Sequence, residues 1–214
     1  MTVLVTGGTG YIGAHTCVEL QEAGHEVVAV DNFQNSTPEV ARRVERITGR
    51  KLPVYRADVR SPEAMRAILS AHEPAAVIHF AGLKAVGESV AEPLSYFDAN
   101  VHGSLVLSEV MKEVGVGTLV FSSSATVYGE PDTLPLTEDA PLKRPVNPYG
   151  RSKLMVEDIF RDLHVADPSW RIGLLRYFNP VGAHSSGLIG ENPRGQPNNL
   201  MPLVAQAALG QLEA

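Results

Sequence analysis

Cysteine is almost absent from this 214-residue chain. Cys17 is the only one, which excludes an internal disulfide framework and fits a reducing compartment. Basic excess is also lacking: 18 Lys and Arg stand against 24 Asp and Glu, a formal charge of −6. That balance argues against a duplex-DNA binder, whose phosphate contacts need a basic surface, and no nucleic-acid partner is expected. No stretch approaches the roughly 20 apolar residues that cross a bilayer. Met1-Thr2-Val3-Leu4-Val5-Thr6 has no basic lead-in, so a cytoplasmic protein without membrane contact is expected. The seven histidines form no His-x-x-x-His or Cys–His cluster, so no metal site is expected. Aromatics make up only 6%, and Trp170, alone before an apolar run, reads as packing.

Short apolar runs alternate with amphipathic stretches. Residues 2–6, 26–30, 53–57, 75–80, 118–121 and 171–177 are rich in Val, Ile and Leu and end near Gly, Asp or Ser, which predicts buried strands. Residues 15–23, 62–72, 104–114 and 149–163 predict helices, the second capped by Ser61 and others closed by Gly24 and Gly115. This alternation points to an α/β protein, a doubly wound parallel sheet with helices on both faces and right-handed crossovers. Composition changes near residue 180, where Gly, Pro and Asn accumulate before an apolar stretch at 203–209. Residues 1–179 therefore read as one domain and 180–214 as the start of a second, inside which the chain is expected to stop.

Gly7-Gly8-Thr9-Gly10-Tyr11-Ile12-Gly13 follows the first strand and opens the first helix. In a dinucleotide site Gly7 makes the tight turn, Gly10 admits the pyrophosphate and Gly13 lets helix and strand pack closely. The helix N-terminus then faces the phosphates. The spacing is one residue wider than the commoner Gly-x-Gly-x-x-Gly. Asp31 ends the second strand, where a carboxylate holds ribose hydroxyls and repels a 2′-phosphate; this favours NAD over NADP. Asp58, after the third strand, is placed for the adenine. Phe80-Ala81-Gly82-Leu83-Lys84 leaves the fourth strand at the ligand-binding edge of the sheet.

Tyr149-Gly150-Arg151-Ser152-Lys153 sets a phenol and an ammonium on one helix face. A free tyrosine, with its pKa near ~10, is a poor base at neutral pH. A neighbouring ammonium and a nicotinium charge would both favour the phenolate. Ser122-Ser123-Ser124 supplies a hydroxyl on the same sheet edge. His79 reads as a satisfied core histidine, and Cys17 as a small buried residue.

Taken together, these segments resemble the extended short-chain dehydrogenase/reductases, in their NAD-dependent epimerase/dehydratase branch. The resemblance runs along essentially the whole chain. Its narrower marks are residues 80–89, Ser122-Ser123-Ser124-Ala125-Thr126-Val127-Tyr128-Gly129, Pro148 to Lys153, residues 175–183 and Asn198-Asn199-Leu200-Met201-Pro202. It implies a Rossmann-type sheet and NAD as cofactor. Gly7, Gly10, Tyr11, Ile12 and Gly13 would meet the pyrophosphate. Asp31, Asn32, Phe33, Gln34, Asn35 and Ser36 would hold the adenosine ribose, and Asp58 and Val59 would border the adenine. Phe80, Ala81, Gly82, Leu83, Lys84, Asn100, Ser122, Tyr149, Lys153 and Phe178 would complete the cofactor pocket. Lys84, Ser124, Ala125, Thr126, Tyr149, Tyr177, Phe178, Asn179, Asn198, Asn199 and Leu200 would face the substrate. Ala99 stands where some relatives have a second asparagine.

The reaction implied is the reversible inversion at C4 of UDP-galactose and UDP-glucose in galactose metabolism, with Ser124, Tyr149 and Lys153 as the catalytic set. Two rivals share the scaffold. A dehydratase or decarboxylase needs a carboxylate near the tyrosine, which Ser124-Ala125-Thr126 does not supply. The other is a non-catalytic NAD-binding fragment of the same enzyme. Relatives pair through two helices per subunit, and residues 94–114 and 149–163 correspond to them, so a homodimer is expected.

Overall fold

The protein, described at residues 1–193 and 199–211 by a computed structural model, alternates strand and helix along most of its length. The elements are β1 (Thr2–Thr6), α1 (Tyr11–Glu22), β2 (Glu26–Asp31), α2 (Glu39–Thr48), β3 (Val54–Arg56), α3 (Pro62–His72) and β4 (Ala76–His79). Then follow α4 (Val86–Ala91), α5 (Pro93–Tyr96), a π-helical turn (Phe97–His102), α6 (Gly103–Glu113), β5 (Thr118–Ser124), a 3₁₀ turn (Ala125–Tyr128), α7 (Pro148–Ala166), β6 (Arg171–Tyr177) and α8 (Leu200–Ala208). The six strands lie in the order β3-β2-β1-β4-β5-β6, and every pair is parallel. The chain first walks outward from β1 to β3, then returns to lay β4 on the other side of β1. The loops after β1 and β4 consequently diverge and leave a crevice at the carboxyl edge of the sheet, where open α/β sheets bind ligands.

Both faces of the sheet are covered, which is why its strands read as near-continuous apolar runs. Val3, Val5, Val27 and Ala29 pack with Ala14, Cys17 and Val18 of α1 and Val44 of α2. Leu4, Val28 and Val30 face the other way, toward Met65 and Leu69 of α3, Leu107 and Met111 of α6 and Phe160 of α7. Trp170 is 3% exposed in this second cluster, a packing residue as expected.

The helix α2 is missing from the sequence reading. Val40, Val44 and Ile47 form its stripe at helical spacing, but only Val44 is fully buried and the charged residues between them dilute the pattern. The cap at Ser61 is present: its hydroxyl accepts from Ala64 N at 3.4 Å. Other bounds move. Helix α1 begins at Tyr11 rather than residue 15, directly from the glycine turn, and α7 begins at Pro148, capped by Asn147 Oδ1 accepting from Gly150 N at 2.8 Å. Strand β5 continues to Ser124 instead of stopping at 121, because its ladder with β6 runs on to Ser124 opposite Tyr177. A second unforeseen feature is the return of the segment after β6. Ala183 and Gly190 pair antiparallel, Ile189 is 6% exposed among the core residues of α1 and α2, and Arg43 Nη1 donates to Leu188 O at 3.2 Å. None of α8 is buried. Among the described residues no helix is long and apolar enough to cross a membrane.

His79 is a fully paired core histidine, 1% exposed. The Ser104 hydroxyl donates to Asn100 O, so it accepts from His79 Nε2 at 3.1 Å, while Nδ1 accepts from Thr6 Oγ1 at 2.7 Å. The ring is thereby committed to a neutral tautomer. Burial, aided by the Lys153 charge, lowers its pKa to about 3. Below an unfolded-state pKa near ~6.5 the unfolded chain takes up a proton that the native ring refuses. Stability is therefore expected to fall as the pH drops from that value toward about 3, with a contribution from this one group of roughly 1.4 kcal/mol per pH unit. Denaturant melts of the protein and of His79→Asn across that range measure it. Equal acid-side slopes in the two proteins would rule out the effect.

Candidate active site

The site is built on the carboxyl edge from the inside of the sheet outward. Gly7 sits at φ +66°, a left-handed conformation that favours glycine, and its N–H donates to Val30 O at 2.7 Å. The turn closes through Gly10 N to Gly7 O at 3.0 Å, and α1 starts at the next residue. A Cβ on Gly13 would stand 2.2 Å from Gly7 O and 2.9 Å from Gly8 Cα, so the helix touches the turn backbone to backbone. Gly10, the N-cap, carries no side chain to occupy the first-turn N–H groups. These donors and the positive end of the helix dipole face the crevice, the arrangement that binds a pyrophosphate.

Asp31 ends β2 and is 9% exposed. One carboxylate oxygen accepts from Thr9 N at 3.2 Å, and the other from Phe33 N at 2.9 Å and Ser36 Oγ at 2.9 Å. Residues 31–36 thus form a turn folded around its own first carboxylate, with Asn32, Gln34 and Asn35 exposed. Asn32 Nδ2 donates to Asp58 Oδ2 at 3.0 Å, which joins the ribose-side and adenine-side residues. Arg60 grips Asp58 through Nε at 2.8 Å and Nη2 at 2.7 Å and holds the carboxyl well below the usual carboxylate range. Val59 is buried beneath this loop.

Across the crevice, residues 80–84 leave β4. Asn100, 3% exposed in the π-helical turn, accepts from Leu83 N at 2.8 Å and donates to Leu83 O at 3.1 Å and to Ser152 Oγ at 2.9 Å. π-turns often mark functional sites. Here the turn aims one amide side chain at both the β4 loop and α7. Lys84 Nζ lies 3.2 Å from Glu191 Oε1, which also accepts from Asn199 Nδ2. Tyr11 Oη donates to Gly182 O at 2.8 Å. The segment after β6 therefore closes one wall of the crevice. Nothing in its Gly-, Pro- and Asn-rich composition singles out Glu191 in advance.

Tyr149 and Lys153 occupy the first two turns of α7 and face the end of β5. Lys153 Nζ, on a buried side chain, donates to Ser122 O at 2.8 Å and lies 4.8 Å from the Phe121 ring centre and 5.9 Å from that of Tyr149. Burial brings its pKa down to about 8. Ser124, 7% exposed, caps the 3₁₀ turn by accepting from Thr126 N at 3.2 Å, and its hydroxyl is near enough to the Tyr149 phenol to favour the phenolate. The chain's own groups alone do not make Tyr149 acidic; the sequence expectation also counted on a nicotinium charge. Burial raises the phenol above its ordinary value, and only the Ser124 hydroxyl works in the opposite direction. The physical reason is desolvation of the phenolate.

The remaining expected residues are spread more widely. Ala125 and Thr126 lie in the turn beside Ser124. Tyr177 is half-buried at the end of β6, where burial raises its pKa. Phe178 is 62% exposed, and Asn179 and Leu200 are also exposed. Asn198 lies outside the described residues. Cys17 is buried with its thiol pushed up to about 12, chiefly by burial, so it is no nucleophile. No group of three metal-binding side chains comes together among the described residues. Sequence reasoning missed Ser123, Glu157 and Arg176, which hydrogen-bond one another between β5, α7 and β6. Glu157 stands four residues beyond Lys153 and eight beyond Tyr149, and that spacing was the available signal.

The sequence model of the NAD dependent epimerase/dehydratase family matches residues 3–213. Among curated relatives, the UDP-glucose 4-epimerase of Bacillus subtilis (strain 168) is 59% identical over 213 residues, which are 100% of this chain and 62% of the relative. That of Neisseria meningitidis serogroup A is 57% identical, across 98% of this chain and 62% of the relative. Among solved structures, UDP-glucose 4-epimerase from Bifidobacterium longum in complex with NAD+ and UDP superposes with a TM-score of 0.97 at 56% identity, covering 100% of this chain and 64% of that one. The enzyme from Stenotrophomonas maltophila with bound NAD and formylated UDP-arabinopyranose gives 0.96 at 53% identity, over 99% and 63% of the two chains. The chain thus spans a little under two thirds of the length of the relatives it matches.

Proposed function

The chain belongs to the NAD dependent epimerase/dehydratase family, and on that premise we propose that the protein interconverts UDP-galactose and UDP-glucose by inversion at C4, with NAD as its retained cofactor. One observation carries the reading. The Ser124–Tyr149 pair and Lys153 stand at the end of β5, on the same sheet edge as a glycine turn that closes backbone to backbone on the start of α1.

The residues present suit a dinucleotide. The glycine turn and the uncapped start of α1 would hold the pyrophosphate, Asp31 to Ser36 the ribose, and Asp58 and Val59 the adenine. Residues 80–84, Asn100, Ser122, Lys153 and Phe178 would surround the nicotinamide half. When bound, NAD supplies the hydride acceptor and then the hydride donor at sugar C4, through a 4-keto sugar. Tyr149 takes the C4 hydroxyl proton as hydride leaves that carbon, and returns it when hydride comes back to the opposite face. Ser124 hydrogen-bonds the same oxygen and keeps it in line with the phenol. Lys153 orients the nicotinamide ribose from its seat on the Ser122 carbonyl. A positive charge near the ring would offset the burial that raises the phenol, so cofactor and base are mutually dependent. Tyr177, Asn179, Asn199 and Leu200 would meet the nucleotide part of the substrate, with Ala125 and Thr126 beside the hexose. Residues 1–179 act as the dinucleotide-binding domain, and residues from 180 onward begin the sugar-nucleotide part.

The deciding experiment is incubation of the purified protein with UDP-galactose and chromatography of the products. UDP-glucose is expected. Bound NAD without conversion would refute the activity and leave cofactor binding standing.

A second copy of this chain is the proposed macromolecular partner. Leu94, Phe97, Val101 and Leu105 line an apolar groove of about 600 Å³ with Met155 of α7, and Leu94 is 81% exposed. Leu105→Glu with Met155→Glu is expected to convert a dimer to a monomer, as read by light scattering behind size exclusion. A monomeric unsubstituted protein at micromolar concentration would refute this. The single thiol, buried and unpaired, supports the cytoplasm as the proposed location.

A further inference from the structure

We propose that Glu157 is a positioning residue for the reaction: its buried carboxylate fixes α7 against the ends of β5 and β6 and so sets the separation of Ser124, Tyr149 and Lys153. The inference rests on the reading of Ser124 and Tyr149 as the groups that handle the C4 hydroxyl.

Tyr149, Lys153 and Glu157 recur every four residues and therefore share one face of α7. They meet three consecutive residues of β5. Tyr149 stands beside the Ser124 hydroxyl, Lys153 bonds the Ser122 carbonyl and Glu157 the Ser123 hydroxyl. The first two contacts involve groups that must also serve ligands, whereas the third is purely internal. Glu157 is fully buried. Its Oε1 accepts from Ser123 Oγ and from Arg176 Nε at 3.0 Å, and its Oε2 accepts from Arg176 Nη2 at 2.8 Å and Arg161 Nη2 at 2.7 Å. Arg176 continues through Nη1 to Tyr128 Oη at 2.9 Å, which ties in the turn that Ser124 caps. Two strands, one helix and one turn thus converge on a single carboxylate.

Burying an ion pair is costly, and an apolar filler of equal volume would often stabilise a core as well or better. What the charged cluster adds is directionality. A bidentate guanidinium and a hydroxyl fix the carboxylate in one pose, and α7 cannot slide along β5 without breaking several bonds. Proton transfer needs heavy atoms about 2.6–3.2 Å apart, so slippage of a fraction of an ångström costs rate. Arg161 differs from the other partners. It lies on the same helix, its side chain is 40% exposed, and it makes no contact with β5 or β6 among the bonds of this cluster.

That contrast supplies the test. Ser123→Ala, Glu157→Gln and Arg161→Ala are compared in the whole protein for kcat and KM with UDP-galactose, NAD affinity and melting temperature. Ser123→Ala and Glu157→Gln are expected to lose about tenfold or more in kcat, with KM and NAD affinity within about threefold. Ser123→Ala should do so with little change in melting temperature, and it keeps the test open if Glu157→Gln folds poorly. Arg161→Ala should lower the melting temperature and leave kcat alone. The proposal fails alone if the unsubstituted protein is active and Ser123→Ala and Glu157→Gln keep full kcat. It fails too if kcat simply tracks melting temperature through all three. An unsubstituted protein that binds NAD but converts no sugar overturns both this inference and the epimerase reading.

Discussion

Tyr149→Phe is expected to lower kcat for UDP-galactose conversion by about 10³-fold or more, while NAD affinity stays within a few-fold. The substitution removes one oxygen and leaves the ring, so the packing around the start of α7 is kept. The Lys153 bond to Ser122 does not involve the phenol and should persist. What disappears is the phenol beside Ser124 that is proposed to exchange a proton with the sugar hydroxyl. Ser124→Ala is the companion variant. It leaves the phenol in place but withdraws the neighbouring hydroxyl whose effect opposes burial, and a loss of about 10²-fold is expected. Steady-state rates with product chromatography, beside NAD titrations of the same preparations, measure both. Turnover by Tyr149→Phe at the unsubstituted rate would remove this tyrosine from the mechanism. Loss of NAD binding in parallel would instead make it a structural residue.

Among the described glycines, Gly13→Ala should be the most damaging added methyl. Its Cβ would stand 2.2 Å from the Gly7 carbonyl oxygen and 2.9 Å from Gly8 Cα, both backbone atoms with no rotamer to retreat into. Either α1 moves away from β1 or the turn reopens. The first loosens the packing of Ala14, Cys17 and Val18 on Val3 and Val5, at a cost of about 1–3 kcal/mol for an overpacked core contact. The second misplaces the N–H groups proposed to hold the pyrophosphate, for which a loss of NAD affinity of about 10²-fold or more is expected. Melting curves with and without NAD separate the two effects, because a bound cofactor raises the midpoint only where the cradle survives. A variant with the unsubstituted midpoint and affinity would contradict the contact. Gly87 of α4, which meets nothing within 4 Å of an added Cβ and does not stand at positive φ, is the matched position at which steric crowding plays no part.

The alternation of strands and helices, the parallel sheet and the glycine turn after β1 were all legible because they rest on short-range patterns. An apolar run bounded by turn residues, or a phenol four residues from an ammonium, needs only the local chain to be recognised. Asp31 at the end of β2 and Ser124 at the end of β5 followed from the same logic, since strand ends define the ligand edge. The direction in which the Tyr149 pKa moves did not follow, because it depends on how deeply the phenol is buried.

The amino-acid pattern by itself determined where the six strands and the helices α1, α3, α6 and α7 lie and which residue types stand at the carboxyl edge of the sheet. Tertiary structure alone decided which of those residues support one another. Glu157 meets Ser123 across 34 positions and Arg176 across 19, Lys84 meets Glu191 across 107, and Ile189 enters a core begun by Val3. Periodicity tells which face of an element is buried, but not which distant element covers it. That pairing is fixed only when strand order and register bring both partners to the same edge.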